Sequence, residues 1–487
     1  MRPSVQSIAG CGGSARKLTH RRGRVAIQAA ILLALGTVSA RAADRVWDGG
    51  GANDNWSTPL NWDGDLTAPV SNDSLTFDGL TRLTPNNDLP ADTVFGPLTL
   101  APGAGSFVIG GNRITLGGDV LDSSPNAQVI NLPMVLNASR NVNVDSGSLT
   151  LGGSVSGAGF GITKTGLGIL TLAAANTYSG ATIIDGGTLA YTVDNPGVGA
   201  IAFGTPPTSS SASGNTGTLD LTGASITATS LTAQTNSATP NQILIGTGKT
   251  LTVNGAFTAG VSNVFSETNP GANTVLNISG NSLVVNAGTG QFSVGIGRSN
   301  AASGGDPTAT LDMTGLNSFT HTATTGEFRV GGGNLRGFAT LADNSNSITA
   351  ATLQVGNSSV NGGGNNNGGR SFLHLGGGAN MLHFNTINLG DGKSAGVLDF
   401  SANGPSGALV ITGEAGGAST ASFQIGSSTS GTGSGDDSRL ALDGHNVTVQ
   451  AGNMVIGRLA GGTGAIPHAD RRRSTRERSP LTICNWR

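Results

Sequence analysis

The chain has 487 residues, of which 37% are hydrophobic and only 11% charged, and Gly and Pro together supply about a fifth. That share falls short of the roughly 25–30% that marks low-complexity disorder, and the apolar residues fall in short alternating runs that can line a continuous core. The net charge of −2 hides an acidic body: residues 44–466 hold 13 basic and 26 acidic residues, a net charge of −13, so phosphate-backbone binding has little electrostatic support and no nucleic acid is expected as a partner.

Residues 1–42 carry a basic start (Arg16, Lys17, Arg21, Arg22, Arg24), an apolar run from Val25 to Val38 and small residues ending in Ala40, Arg41 and Ala42. This is the pattern of a secretory signal peptide. The apolar run falls short of the ~20 residues a spanning helix needs, so no transmembrane segment is expected in the mature chain. Cys11 lies in this segment and Cys484 in the last few residues, which leaves no disulfide framework.

Residues 43–100 hold Trp47, Trp56 and Trp62 among Asp, Asn and Gly, followed by Phe77. Indole faces in such a setting suit sugar rings. The competing reading is a cap, in which the aromatics cover the apolar cross-section that the first turn of a solenoid exposes. Residues 101–216 then bring strand-like runs at Phe107–Ile109, Ile114–Leu116, Val129–Ile130, Met134–Leu136, Val142–Val144 and Leu149–Leu151, with Gly197 to Thr216 reading as a protruding loop.

Within that region, residues 160–192 read FGITKTGLGILTLAAANTYSGATIIDGGTLAYT. Four β-forming runs are punctuated by Gly166 and Gly168, by Asn176 to Gly180 and by Asp185-Gly186-Gly187, too closely for any long helix. Leu170 and Leu172 recur as Leu189 and Tyr191, the spacing expected when strands stack in parallel at roughly 4.8 Å per turn. Lys164-Thr165-Gly166, Leu170-Thr171-Leu172, Asn176-Thr177-Tyr178-Ser179-Gly180 and Gly187-Thr188-Leu189 together resemble the autotransporter-associated β-strand repeat. The resemblance implies a right-handed β-helix displayed outside the cell, and it brings no catalytic residues.

Residues 217–466 show a degenerate second repeat, a hydrophobic-x-hydrophobic-Gly ending at Ile243–Gly246, Phe292–Gly295, Phe328–Gly331, Leu353–Gly356, Ile387–Gly390, Phe423–Gly426 and Met454–Gly457. The intervals after the first suit one or two turns apiece. Runs such as Leu219-Asp220-Leu221, Leu311-Asp312-Met313 and Leu398-Asp399-Phe400 place Asp opposite apolar neighbours, on a solvated face. Residues 467–487 lose the strand period and carry four Arg between 471 and 476. They are expected to be a disordered basic tail, the product of a shifted reading frame, leaving an uncapped end near Met454 that favours self-association.

For chemistry, Asp436 and Asp437 with nearby His445 form the best carboxylate pair, but adjacent residues in a Gly-Ser loop do not make the opposed pair that glycoside hydrolysis needs. His374 and His383 lack a third ligand at metal spacing. The expectation is therefore an all-β, right-handed parallel β-helix (β-solenoid) with an N-terminal cap region, preceded by a signal peptide. It has no catalytic, cofactor-binding or metal residues. Its role is that of an exported, non-catalytic structural or adhesin-like surface protein that meets cell-surface or extracellular polysaccharide. The alternative is a polysaccharide-binding or polysaccharide-cleaving β-helix.

Overall fold

The computed structural model describes residues 42–204, 215–262, 273–297, 308–323, 325–333, 335–357, 370–391, 394–400, 406–428, 438–459 and 481–483. The expected signal segment therefore lies outside the described residues. The chain from Ala42 onward forms one compact unit that is almost wholly β, with a single 3-10 turn at Pro59–Asn61 among the described residues. No helix there is long and apolar enough to cross a membrane.

Short alternating runs cannot satisfy their backbone hydrogen bonds alone, so each pairs with the equivalent run one turn away. Pairing is parallel throughout the coil, and three sheets result. The first, sheet A, begins at Asp44–Trp47 and Ser74–Phe77 and continues through Ile162–Thr165 and Thr182–Asp185 to the second half of Asn446–Leu459. Sixteen strands stack in this sheet among the described residues. Sheet B runs from Asn86–Asn87 to Arg439–Ala441. Sheet C starts as Thr93–Phe95, Ile114–Leu116, Met134–Leu136 and Val155–Ser156, and resumes at Asn195–Val198. The architecture is a parallel β-helix, with one apolar side chain in two turned inward to a continuous core.

The repeat at 160–192 occupies one full turn of this coil and the first two strands of the next. Leu170 pairs with Leu189 and Leu172 with Tyr191, all four of them buried, which is the stacking that the sequence spacing implies. Residues 173–181 complete the third face without a strand. There the Asn176 carboxamide accepts from Val155 N (2.7 Å) and donates to Ala174 O (2.9 Å), and Thr177 N donates to Val155 O (2.9 Å).

Three expectations are corrected. Ile201–Phe203, expected within a protruding loop, is a sheet A strand with Ile201 and Phe203 buried; Pro206 and the Ser run that suggested the loop lie outside the described residues. The hydrophobic-x-hydrophobic-Gly units are each a single turn apart, since Phe292 pairs with Phe328, Phe328 with Leu353, Leu353 with Ile387, Ile387 with Phe423 and Phe423 with Met454. The first unit, however, is not Ile243–Gly246, which belongs to sheet B and pairs with Ile278. The true predecessor is Phe257, which pairs with Phe292. Last, Leu481–Ile483, in the stretch expected to lack strands, pairs antiparallel with Val449–Ala451; the rest of 467–487 lies outside the described residues.

The glycine that ends each unit has a steric cause. Gly260, Gly295, Gly331, Gly356, Gly390, Gly426 and Gly457 all adopt left-handed φ between 65° and 78°, turning the chain at one corner of the coil, where a side chain is strained. A Cβ on Gly331 would also lie 1.9 Å from Ser371 Oγ, whereas one on Gly457 would meet nothing within 4 Å. Gly331→Ala is therefore expected to lower stability by about 1–3 kcal/mol, and Gly457→Ala by clearly less. Equal losses in denaturant titrations of the two variants would show that the contact with Ser371 is irrelevant.

Candidate functional site

The three tryptophans are fully buried. Trp47 and Trp62 meet edge to face at 5.2 Å, Trp56 and Trp62 at 6.0 Å, and Phe77, Phe95 and Phe107 extend the cluster toward the coil. Trp62 Nε1 donates to Trp56 O and Trp47 Nε1 to Arg82 O. With no indole face open to solvent, a sugar platform on these rings is ruled out.

The polar candidates are also dispersed. Asp436 and Asp437 lie outside the described residues. His445 stacks on Phe400 at 3.7 Å and donates to Gly407 O. His374 is on sheet B and His383 on sheet C, and each already has a partner: His374 Nδ1 lies 2.5 Å from Asp399 Oδ1, and His383 Nδ1 lies 2.7 Å from Thr412 Oγ1. Asp312 and Asp399 share one outward ladder of sheet B, in the order Asp312, Thr340, His374, Asp399, while Asp220 sits on the neighbouring ladder opposite Leu244. Among the described residues no group of three His, Cys, Asp or Glu is placed to hold a metal.

The signature residues of the 160–192 stretch turn inward. Lys164 occupies the apolar ladder Leu98, Val120, Val142, Lys164, Ile184, Phe203 and is fully buried. Its ammonium donates to the carbonyls of Thr165 (2.7 Å), Gly166 (2.9 Å) and Gly186 (3.3 Å), tying the corner of one turn to the next. Burial pulls its pKa down to about 8. The Tyr178 hydroxyl bridges Thr182 Oγ1 (2.8 Å) and the Tyr191 hydroxyl (3.3 Å) in the core, and burial raises both phenols. These groups hydrogen-bond one turn of the coil together; none is presented to a substrate.

Among the buried ionisable groups, Asp122 and His321 escape a sequence reading, because nothing in the alternating pattern distinguishes them from solvent-facing neighbours. Asp122 continues the inward ladder between Leu100 and Val144, accepts from Ser124 N, and is pushed up to about 7 by burial. His321 lies inward between Val285 and Ile348, edge-on to Phe292 and Phe328 at 5.5 and 5.4 Å, and neither ring nitrogen has a partner. Burial lowers its pKa to about 4. The folded state thus favours neutral imidazole, so the stability it contributes is complete above the unfolded value near 6.5 and is lost as pH falls toward 4. Acid unfolding of a His321→Leu variant should lack a component of about 3 kcal/mol between those pH values; identical acid profiles for the two chains would refute it.

Residues 162–190 match the family model of the passenger-associated-transport-repeat. No curated protein and no solved structure matches the chain.

Proposed function

The chain carries a passenger-associated-transport-repeat, the mark of autotransporter passenger-type repeat proteins, and from that premise we propose that it is an exported, non-catalytic structural or adhesin-like protein of the cell surface. The observation that carries the reading is the matched segment itself. Its distinguishing Lys164, Asn176 and Tyr178 are spent on joining one turn of a continuous parallel coil to the next, Tyr178 through the Tyr191 hydroxyl just beyond the segment. A scaffold whose polar signature is buried in this way supports display at a distance better than chemistry. Expression in a Gram-negative host, followed by protease treatment of whole cells, tests it. Cleavage of the body in intact cells is the expected result, and a chain retained in the cytoplasm would refute export. Saturable cleavage of a glycan by the purified chain would instead move the protein into the polysaccharide-active class.

Self-association belongs to the same reading. Met454 and Ile456 continue the inward ladders of Phe423 and Ile425, yet they are 40% and 55% exposed where their counterparts in preceding turns are buried. Among the described residues 453–459 pair on one side only, and such an edge beside exposed apolar side chains templates pairing with a second chain. The double variant Met454→Lys, Ile456→Lys should shift sedimentation toward monomer; an unchanged distribution removes this edge as the contact.

A further inference from the structure

Outside the core, sheet B presents an aromatic strip. Phe338 and Phe372 are adjacent in one outward ladder that runs Thr310, Phe338, Phe372, Val397, covered at its Val397 end. Both rings are half-buried and take no part in the core. They stack on each other at 5.6 Å and 13°, and Phe372 also stacks on His374 at 5.4 Å. Because one face of Phe338 is turned to Phe372, its other face is turned along the coil toward the turn of Thr310, a much smaller side chain. The step between them is flanked by Asp312 and Thr340 of the next ladder. It adjoins a concavity of ≈ 220 Å³ lined by Gln242, Asn277, Asp312 and Thr314, room for about one sugar ring and below the ~300–1,000 Å³ of drug-sized sites.

We propose that this strip of sheet B, from Gln242 to His374, is a binding site for a neutral glycan chain laid along the coil. The inference deepens the surface-protein reading above and rests on it. A half-buried aromatic ring outside the core, beside hydroxyl, carboxamide and carboxylate groups, offers one apolar and one hydrogen-bonding surface, which is the division that a pyranose presents. Successive turns repeat these groups at the roughly 4.8 Å interstrand spacing, so neighbouring sugars meet equivalent side chains. Charge selects the class. A body of net charge −13, with the Asp312 carboxylate in the strip itself, repels a polyanion, and a stacking phenyl ring asks for no charge on the sugar.

The test is retention of the full exported chain on immobilised neutral, uronate-containing and amino-sugar glycans, with Phe338→Ala, Phe372→Ala and Asp312→Asn compared with the unmodified protein. Neutral glycan is expected to be retained, and each of the phenylalanine variants to weaken it at least tenfold with the thermal midpoint little changed, since all three side chains face outward. Three results would each overturn the site: no retention of any neutral glycan at millimolar concentration, retention unaffected by all three substitutions, or retention confined to charged glycans. Protease accessibility of the Phe338→Ala chain on whole cells separates the two readings. A chain that reaches the surface without binding sinks only the site, and one that never reaches it sinks the export reading.

Discussion

Replacing Trp56 by alanine is expected to destabilise the N-terminal turns by about 3–5 kcal/mol, the range for deleting a large aromatic from a packed core. Trp56 is fully buried and touches Trp62, Phe77 and Phe95 at ring separations of 5.6 to 6.0 Å. Its indole nitrogen has no hydrogen-bond partner, and the contact with Trp62 Nε1 uses the Trp56 backbone carbonyl. The loss is therefore almost purely one of packing. In a coil each turn touches only its neighbours, so the damage should remain local. Hydrogen exchange is expected to accelerate across residues 45–100 and to stay unchanged near 345–390. An equal acceleration in both regions would show that the coil unfolds as one cooperative unit, and no acceleration would show that Trp56 covers nothing.

Lys164→Ala is expected to cost about 2–5 kcal/mol. It leaves a cavity in an apolar ladder and removes the donor shared by the carbonyls of Thr165, Gly166 and Gly186, and both effects are destabilising. Lys164→Met restores the volume but not the donor, so its cost should be less than half that of the alanine variant. The remainder measures the orphaned carbonyls against the relief of removing a buried charge. A second signature follows from protonation. Burial lowers the folded pKa from 10.5 to about 8, so the ammonium form is disfavoured in the folded chain, and stability should rise as pH increases from 8. The buried phenols of Tyr178 and Tyr191, raised by desolvation, act in the opposite direction once unfolded tyrosine ionises near pH 10. The rise is therefore confined to about pH 8–10, and it should vanish in Lys164→Met. An alanine variant within 1 kcal/mol of the unmodified chain would mean that the ammonium ties nothing together.

Much of the coil was legible because its rule is local. Alternation of Leu170 and Leu172 with Thr171, and their return as Leu189 and Tyr191, specify parallel stacking before any contact is known. The glycine at the end of each later unit was visible for the same reason: one corner of each of those turns takes left-handed φ. What misled was the interval between units. A turn may hold 19 residues, from Leu170 to Leu189, or 36, from Phe292 to Phe328, because connections outside the ladder can lengthen without disturbing it. Sequence spacing thus could not separate Ile243 on sheet B from Phe257 on sheet A, although only the glycine after Phe257, Gly260, takes left-handed φ.

By itself the sequence determined the fold class, the repeat and the expectation of export, since each rests on period, punctuation or segment order along the chain. Only the tertiary structure decided which face each polar or aromatic residue occupies. Trp47, Trp56 and Trp62 allow either a cap or a sugar platform from sequence and are buried, whereas Phe338 and Phe372, whose runs carry no mark of phase, face outward. Lys164 and His321 sit in apolar ladders. The physical reason is that a strand's period of two specifies alternation but not its phase. Phase is set by the register with neighbouring turns, which no residue in a single turn encodes.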